Sequence, residues 1–163
     1  MKYYLNYFIF YSLIGFILET CVKIFLFEKT NNGILKGPWI PIYGIGACIV
    51  IFINSKLKKK KIKNKKISLF FISIIFLTIL EFLTGYIIEL TTGKVFWDFS
   101  GMIFNIGPYI SLESSTIWGL FSLLIVYIIN PKLDKKIKNI SGKITTVFIT
   151  LITIDFILTI VKM

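Results

Sequence analysis

Histidine and arginine are both absent from this 163-residue chain, and all 19 of its cationic side chains are lysines. Without histidine there is no Ser-His or Cys-His nucleophile pair, no imidazole base and no imidazole metal site. The lack of arginine tells against nucleic acid, despite a net charge of +11, because bidentate reading of phosphates and bases relies on guanidinium groups. The only cysteines, Cys21 and Cys48, sit inside apolar runs with no CxxC spacing. They read as small embedded thiols rather than a disulfide or metal pair. No G-x-x-x-x-G-K-[ST] loop occurs, so a P-loop nucleotidase is excluded. Nothing in the chain marks a resident cofactor or a recognisable catalytic constellation.

Apolar residues are abundant. They make up 56% of the chain, and the mean hydropathy is +0.82. A soluble domain of this length has too little interior for them, and the excess must face lipid. Five apolar runs stand out: Tyr4 to Phe27, Trp39 to Asn54, Ile67 to Leu90, Tyr109 to Ile129 and Ile144 to Val161. A spanning helix needs about 20 such residues, so the expected fold is an all-α membrane protein of five transmembrane helices. The first run is too long for the core of a secretory signal and lacks a small-residue cleavage site, so it reads as a retained helix. Residues 56–66 carry eight lysines and residues 131–143 carry five, whereas the loops 28–38 and 91–108 are cation-poor. Lysine-rich short loops stay in the cytoplasm. The expected topology is therefore N-in/C-out in the cytoplasmic membrane, with lysines at the lipid headgroups.

Of the eight carboxylates, only Asp134 falls in a lysine-rich loop. On this topology Glu19, Glu81, Glu89 and Asp155 lie in the outer halves of helices. Glu113 opens the fourth helix, and Asp98 lies in an external loop. A charged group at the bilayer centre costs about 2.5–3.5 kcal/mol on insertion scales. Several acids at similar depth therefore suggest an outward-facing polar pocket of Glu19, Glu81, Glu89 and Asp98, with Tyr43, Trp97 and Asn105 at its mouth. Crowded acids repel one another, so one should hold a proton when no cation is bound, and binding should weaken at low pH. The structural alternative pairs Glu19 with Lys23 at i,i+4 and leaves the other acids to cap or bridge helices.

The chain also matches itself at a shift of seventy residues. Gly15-Phe16-Ile17-Leu18-Glu19 falls on Gly85-Tyr86-Ile87-Ile88-Glu89, and Gly37-Pro38-Trp39-Ile40 on Gly107-Pro108-Tyr109-Ile110. This predicts one transmembrane domain, residues 1–163, with a parallel repeat of 4–66 and 67–131 followed by a fifth helix within 132–163. Tyr11, Gly15, Glu19 and Lys23 form one i,i+4 stripe; Glu81, Gly85, Glu89 and Gly93 form its counterpart. Each Gly-Pro pair suits a helix start with proline in the first position, where free N–H groups could meet Glu19 and Glu89. Pro41, Gly44 and Gly46 suggest that the short second helix is broken or partly re-entrant.

YSLIGFILE (11–19), GILKGPWIPIYGIGA (33–47), LEFLTGYIIE (80–89), WDFSGMIFNIG (97–107) and WGL (118–120) together resemble the putative ABC-transporter type IV family of small membrane proteins from Gram-positive bacteria. The resemblance covers most of residues 11–120 and implies a permease-like protein; no energy source appears in the chain, so transport would need a separate ATPase partner, an ion gradient or a passive route. The chain departs from the family pattern at Pro108-Tyr109, where Gly-Arg is expected, and at Asn31-Asn32-Gly33, which lacks a basic neighbour. The leading functional reading is transport of a cation, proton or cationic solute, by a single chain or a homo-oligomer. The alternatives are a membrane-embedded enzyme acting on a lipid or lipid-linked group at the outer leaflet, with paired acids as acid/base or metal ligands, and a non-catalytic accessory subunit. Ser114 and Ser115 offer hydroxyls for the enzyme, but the sequence identifies no base to activate them.

Overall fold

A computed structural model describes residues 2–25 and 34–161. The readings at Phe27, Glu28, Lys29 and Asn31-Asn32-Gly33 lie outside the described residues. Helices run over α1 Lys2–Phe25, α2 Pro41–Lys59, α3 Lys65–Thr92, α4 Leu112–Leu124, α5 Asn130–Lys138 and α6 Gly142–Val161, with a π-helical turn at Ile125–Ile129 joining α4 to α5. There is no strand among the described residues, only an isolated bridge between Ile106 and Ile110. Five helical stretches are long and apolar enough to cross a membrane: Tyr3–Phe25, Pro41–Lys59, Lys65–Thr92, Leu112–Lys138 and Gly142–Val161.

The distribution of side chains is that of a membrane protein. Small and hydroxylated residues are buried, among them Ser12, Ser73, Ser122 and Ala47, while Phe71, Ile75, Ile79, Leu151, Ile154 and Leu158 are exposed. In water this pattern would be costly, because large apolar groups are the ones that leave solvent. Against lipid tails the large groups gain nothing by being inside, and small residues let helices approach closely.

Two compact units divide the chain: residues 1–48 with 134–163, and residues 49–133. In the first, α1 packs on α6 around Ile9, Trp39 and Ile152. A Cβ built on Gly44 would lie 2.4 Å from the Phe8 carbonyl oxygen, so only glycine permits the approach of α2 to α1 there. Asn6 is fully buried; it donates to the Ile137 carbonyl at 2.9 Å and accepts from Thr145. In the second unit α3 packs on α4, and Val50, Ile53, Leu57, Leu69, Leu77 and Val126 form the core.

Three local expectations are corrected. Helix α2 is continuous over Pro41–Lys59, not broken. Neither Gly-Pro pair opens a helix: α2 starts at Pro41 and α4 at Leu112. Proline does occupy a first helical position, but the proline is Pro41. Finally, the segment 131–143 is not mainly loop, since helix continues through Lys138. Pro131 brings no N–H, and its ring crowds the preceding turn. The wider turn just before it, in which the Asn130 N–H reaches back to the Ile125 carbonyl, accommodates the proline and lets the helix continue.

Candidate functional site

The stripe Glu81, Gly85, Glu89 of α3 faces residues 97–114 of its own unit. At its centre Gly85 is buried, and a Cβ there would come within 3.0 Å of both the Trp97 and Tyr109 rings. Even a methyl group there would force one or both rings to shift by a few tenths of an ångström. The Trp97 indole N–H donates to the Tyr109 carbonyl at 2.9 Å, and the Tyr109 hydroxyl donates to Glu89 Oε2 at 2.6 Å. That bond to a carboxylate holds the tyrosine proton and raises its pKa above the usual phenol value. Glycine at position 93, with φ of 65°, ends α3 in the left-handed conformation, and its N–H donates to the Glu89 carbonyl at 2.8 Å.

Two turns before Glu89, Glu81 is buried. It accepts from the Ser114 hydroxyl at 3.0 Å and also from Trp118. Ser114 and Ser111 form a reciprocal capping box, each accepting at 3.0 Å from the other's backbone N–H. Ser115 accepts from Thr78 at 2.8 Å and donates to the Ser111 carbonyl at 2.7 Å. Glu113, in the first turn of α4, accepts from the Ile103 N–H at 3.1 Å. There it complements the positive end of the helix dipole.

The remaining predicted residues are placed as follows. Asp98 is exposed and closes its own turn, accepting from the Ser100 N–H at 2.8 Å; the hydrogen bonds from Ser100 hold its carboxyl below the ordinary aspartate range. Asn105 is exposed and donates to the Gly107 carbonyl at 3.0 Å. In the first unit Glu19 pairs with Lys23 at 2.9 Å, the i,i+4 arrangement weighed as its structural reading. Tyr43 lies against Gly15, where a Cβ would stand 2.3 Å from the ring.

The expected meeting of loop N–H groups with Glu19 takes a different form. It is Asp155 of α6 that accepts from the Gly37 N–H and the Trp39 indole, each at 2.9 Å, and from the Lys36 N–H at 3.3 Å. Tyr109 and Ser114 were not singled out as binding residues from the sequence. Tyr109 had a signal, since it stands opposite Trp39 in the seventy-residue match. The link from Ser114 to Glu81 crosses from one helix to another and leaves no local pattern.

Among the described residues no three His, Cys, Asp or Glu side chains gather into a cluster that could hold a metal ion. The arrangement of the second unit offers instead one carboxylate beside a phenol at the end of an apolar helix, with a second, buried carboxylate on the same helix face. Such a pair can attract a cation or exchange a proton. A sequence model of the family described as "Putative ABC-transporter type IV" matches residues 6–162. No curated protein and no solved structure matches the chain.

Proposed function

Because the chain belongs to the Putative ABC-transporter type IV family, we propose that it is a multi-pass, permease-like protein of the cytoplasmic membrane that passes a cation, a proton or a cationic solute. Glu81 and Glu89 face the external side, as the lysine asymmetry implies. The chain carries no P-loop, so the driving force comes from a separate ATPase subunit or an ion gradient, or the route is passive. One observation carries this reading. Glu89, near the end of a helix apolar enough to span the membrane, is held by Tyr109 at 2.6 Å, and Glu81 lies buried on the same face. Ionisable groups in such a helix are expensive and belong to pathways or binding sites by default. Trp97, Asp98 and Asn105 belong to the same unit and form the entrance; Glu19, which falls on Glu89 in the seventy-residue match, and Tyr43 are the candidate groups of the first unit.

The test uses the full chain in proteoliposomes carrying a pH-sensitive dye, with gradients of Na⁺, K⁺, Mg²⁺ and choline applied in turn. At least one cation should cross, more slowly as the pH falls and the carboxylates are protonated. Glu89→Gln should cut that flux at least about tenfold, the loss of roughly 1.4 kcal/mol of interaction, while leaving yield and monodispersity unchanged. Full flux in Glu89→Gln overturns the reading, as does no flux for any cation both in proteoliposomes and in whole cells, which supply any ATPase partner.

A further inference from the structure

We propose that a groove along the fourth span is a binding site for an anionic phospholipid of the leaflet at the lysine-rich end of the helices. The groove has a volume of about 560 Å³ and is lined by Ile117, Leu120, Phe121, Leu124 and Tyr127, with Lys66 as its one charged group. All of these belong to the second unit. Lys66 is the second residue of α3, and its ammonium lies 5.3 Å from the centre of the Tyr127 ring. The cation is therefore held at one end of an otherwise apolar groove.

The dimensions suit a lipid. From Ile117 to Ile128 the helix rises about 16 Å at roughly 1.5 Å per residue. That is about half of the roughly 30 Å hydrocarbon core, the depth of one leaflet. The charge stands where a headgroup phosphate would lie, and the apolar remainder where an acyl chain would. The π-helical turn Ile125–Ile129 lies at the charged end and supplies Tyr127 to the groove. Such turns are rare and recur at functional sites.

Charge also selects the occupant. Residues 56–66 carry eight lysines, Lys66 among them, and basic clusters at a helix end concentrate anionic lipid. A second copy of this chain would have to answer Lys66 with an acid. The chain's own carboxylate in its lysine-rich segments, Asp134, is already engaged by Tyr7 and Lys138. This inference depends on the chain spanning a membrane and not on what it transports, so it can fail or stand independently of the flux experiment.

The experiment is native mass spectrometry of the delipidated full chain titrated with phosphatidylglycerol or phosphatidylcholine of identical acyl chains. The intact protein should retain phosphatidylglycerol preferentially. Lys66→Gln should reduce that retention about fivefold, the contribution of one lysine near an anionic surface, and Lys66→Arg should keep it. Leu124→Trp, which fills the groove, should lower retention of both lipids. Lys60→Gln removes a lysine that does not line the groove and should change nothing. Equal retention of the two lipids overturns the proposal. So does an equal effect of Lys60→Gln and Lys66→Gln, which would mean diffuse attraction by the whole lysine run. A dimer that Leu124→Trp dissociates would make the groove a protein seam and would likewise refute it.

Discussion

Replacing Asp155 with alanine should loosen the first unit measurably. Its carboxylate receives the Gly37 N–H and the Trp39 indole N–H at 2.9 Å each, with the Lys36 N–H further away at 3.3 Å. Two short bonds at the average measured between membrane helices, about 0.6 kcal/mol each, set a lower bound near 1 kcal/mol. Two bonds to a charged acceptor at about 1.5 kcal/mol each set an upper value near 3 kcal/mol, since the site is only half-buried. A central loss of about 2 kcal/mol lowers the midpoint of thermal unfolding by about 4–8 °C for a chain of this size. Circular dichroism of the detergent-purified protein reads this shift. Asp155→Asn keeps an acceptor oxygen and should lose less. Trp39→Phe keeps the ring among Ile9 and Ile152 but removes the donor. Combined with Asp155→Ala it should show a coupling of about 1 kcal/mol, where independent sites add within about 0.3–0.5 kcal/mol. A coupling inside that margin would mean that the contact to Trp39 contributes nothing and that Asp155 stands in its helix for another reason.

Gly15→Ala should destabilise by about 1–3 kcal/mol, the cost of overpacking, because its Cβ would stand 2.3 Å from the Tyr43 ring. The double variant with Tyr43→Ala should recover part of that loss in thermal unfolding. The bond to Glu89 holds the Tyr109 hydroxyl above the ordinary phenol range. A raised folded pKa means that the bond's contribution is complete below pH 10.0 and disappears as the pH climbs through the raised value; comparing the alkaline ends of the unfolding profiles of the wild type and Tyr109→Phe measures it. With Cys21 and Cys48 replaced by serine, single cysteines at Lys60, Lys94 and Lys136 should label in intact cells with an impermeant thiol reagent only at position 94. Labelling at 60 or 136 would reverse the orientation.

Composition and hydropathy were enough to read five spanning helices, because lipid demands unbroken apolar runs whatever the tertiary packing. Helix ends were less legible. The Gly-Pro pairs looked like helix starts because proline suits a first helical turn. Yet Trp39 N–H closes onto the Gly37 carbonyl at 2.8 Å, and Ile40 N–H donates to the Ser12 carbonyl at 3.0 Å, so the chain turns and crosses to α1 before α2 begins. Residues 131–143 looked like a loop, yet a π-helical turn, which no local pattern announces, accommodates Pro131 and lets helix continue through Lys138. The polar contacts divide the same way. The pair Glu19–Lys23 was visible because both partners lie on one helix face; Glu81 with Ser114, 33 residues apart, depends on a helix crossing.

The seventy-residue match predicts like environments at like positions; the contacts beside its two Gly-Pro pairs are alike at the rings and differ at the acids. After Gly37-Pro38 the Trp39 ring folds back over Gly37, where a Cβ would lie 2.1 Å away; after Gly107-Pro108 the Tyr109 ring folds back over Gly107 at 3.3 Å. Each ring then donates its polar hydrogen to a carboxylate on a membrane-length helix at 2.9 Å and 2.6 Å respectively. In the second unit that carboxylate is Glu89, the residue the match singles out. In the first it is Asp155, from the helix outside the match, while Glu19 turns to Lys23. A carboxylate already neutralised by a lysine on its own helix has less to offer a cation than one held only by a neutral phenol. On the proposed cation pathway, the difference in partner, lysine against tyrosine, is therefore the physical reason to weight Glu89 above Glu19.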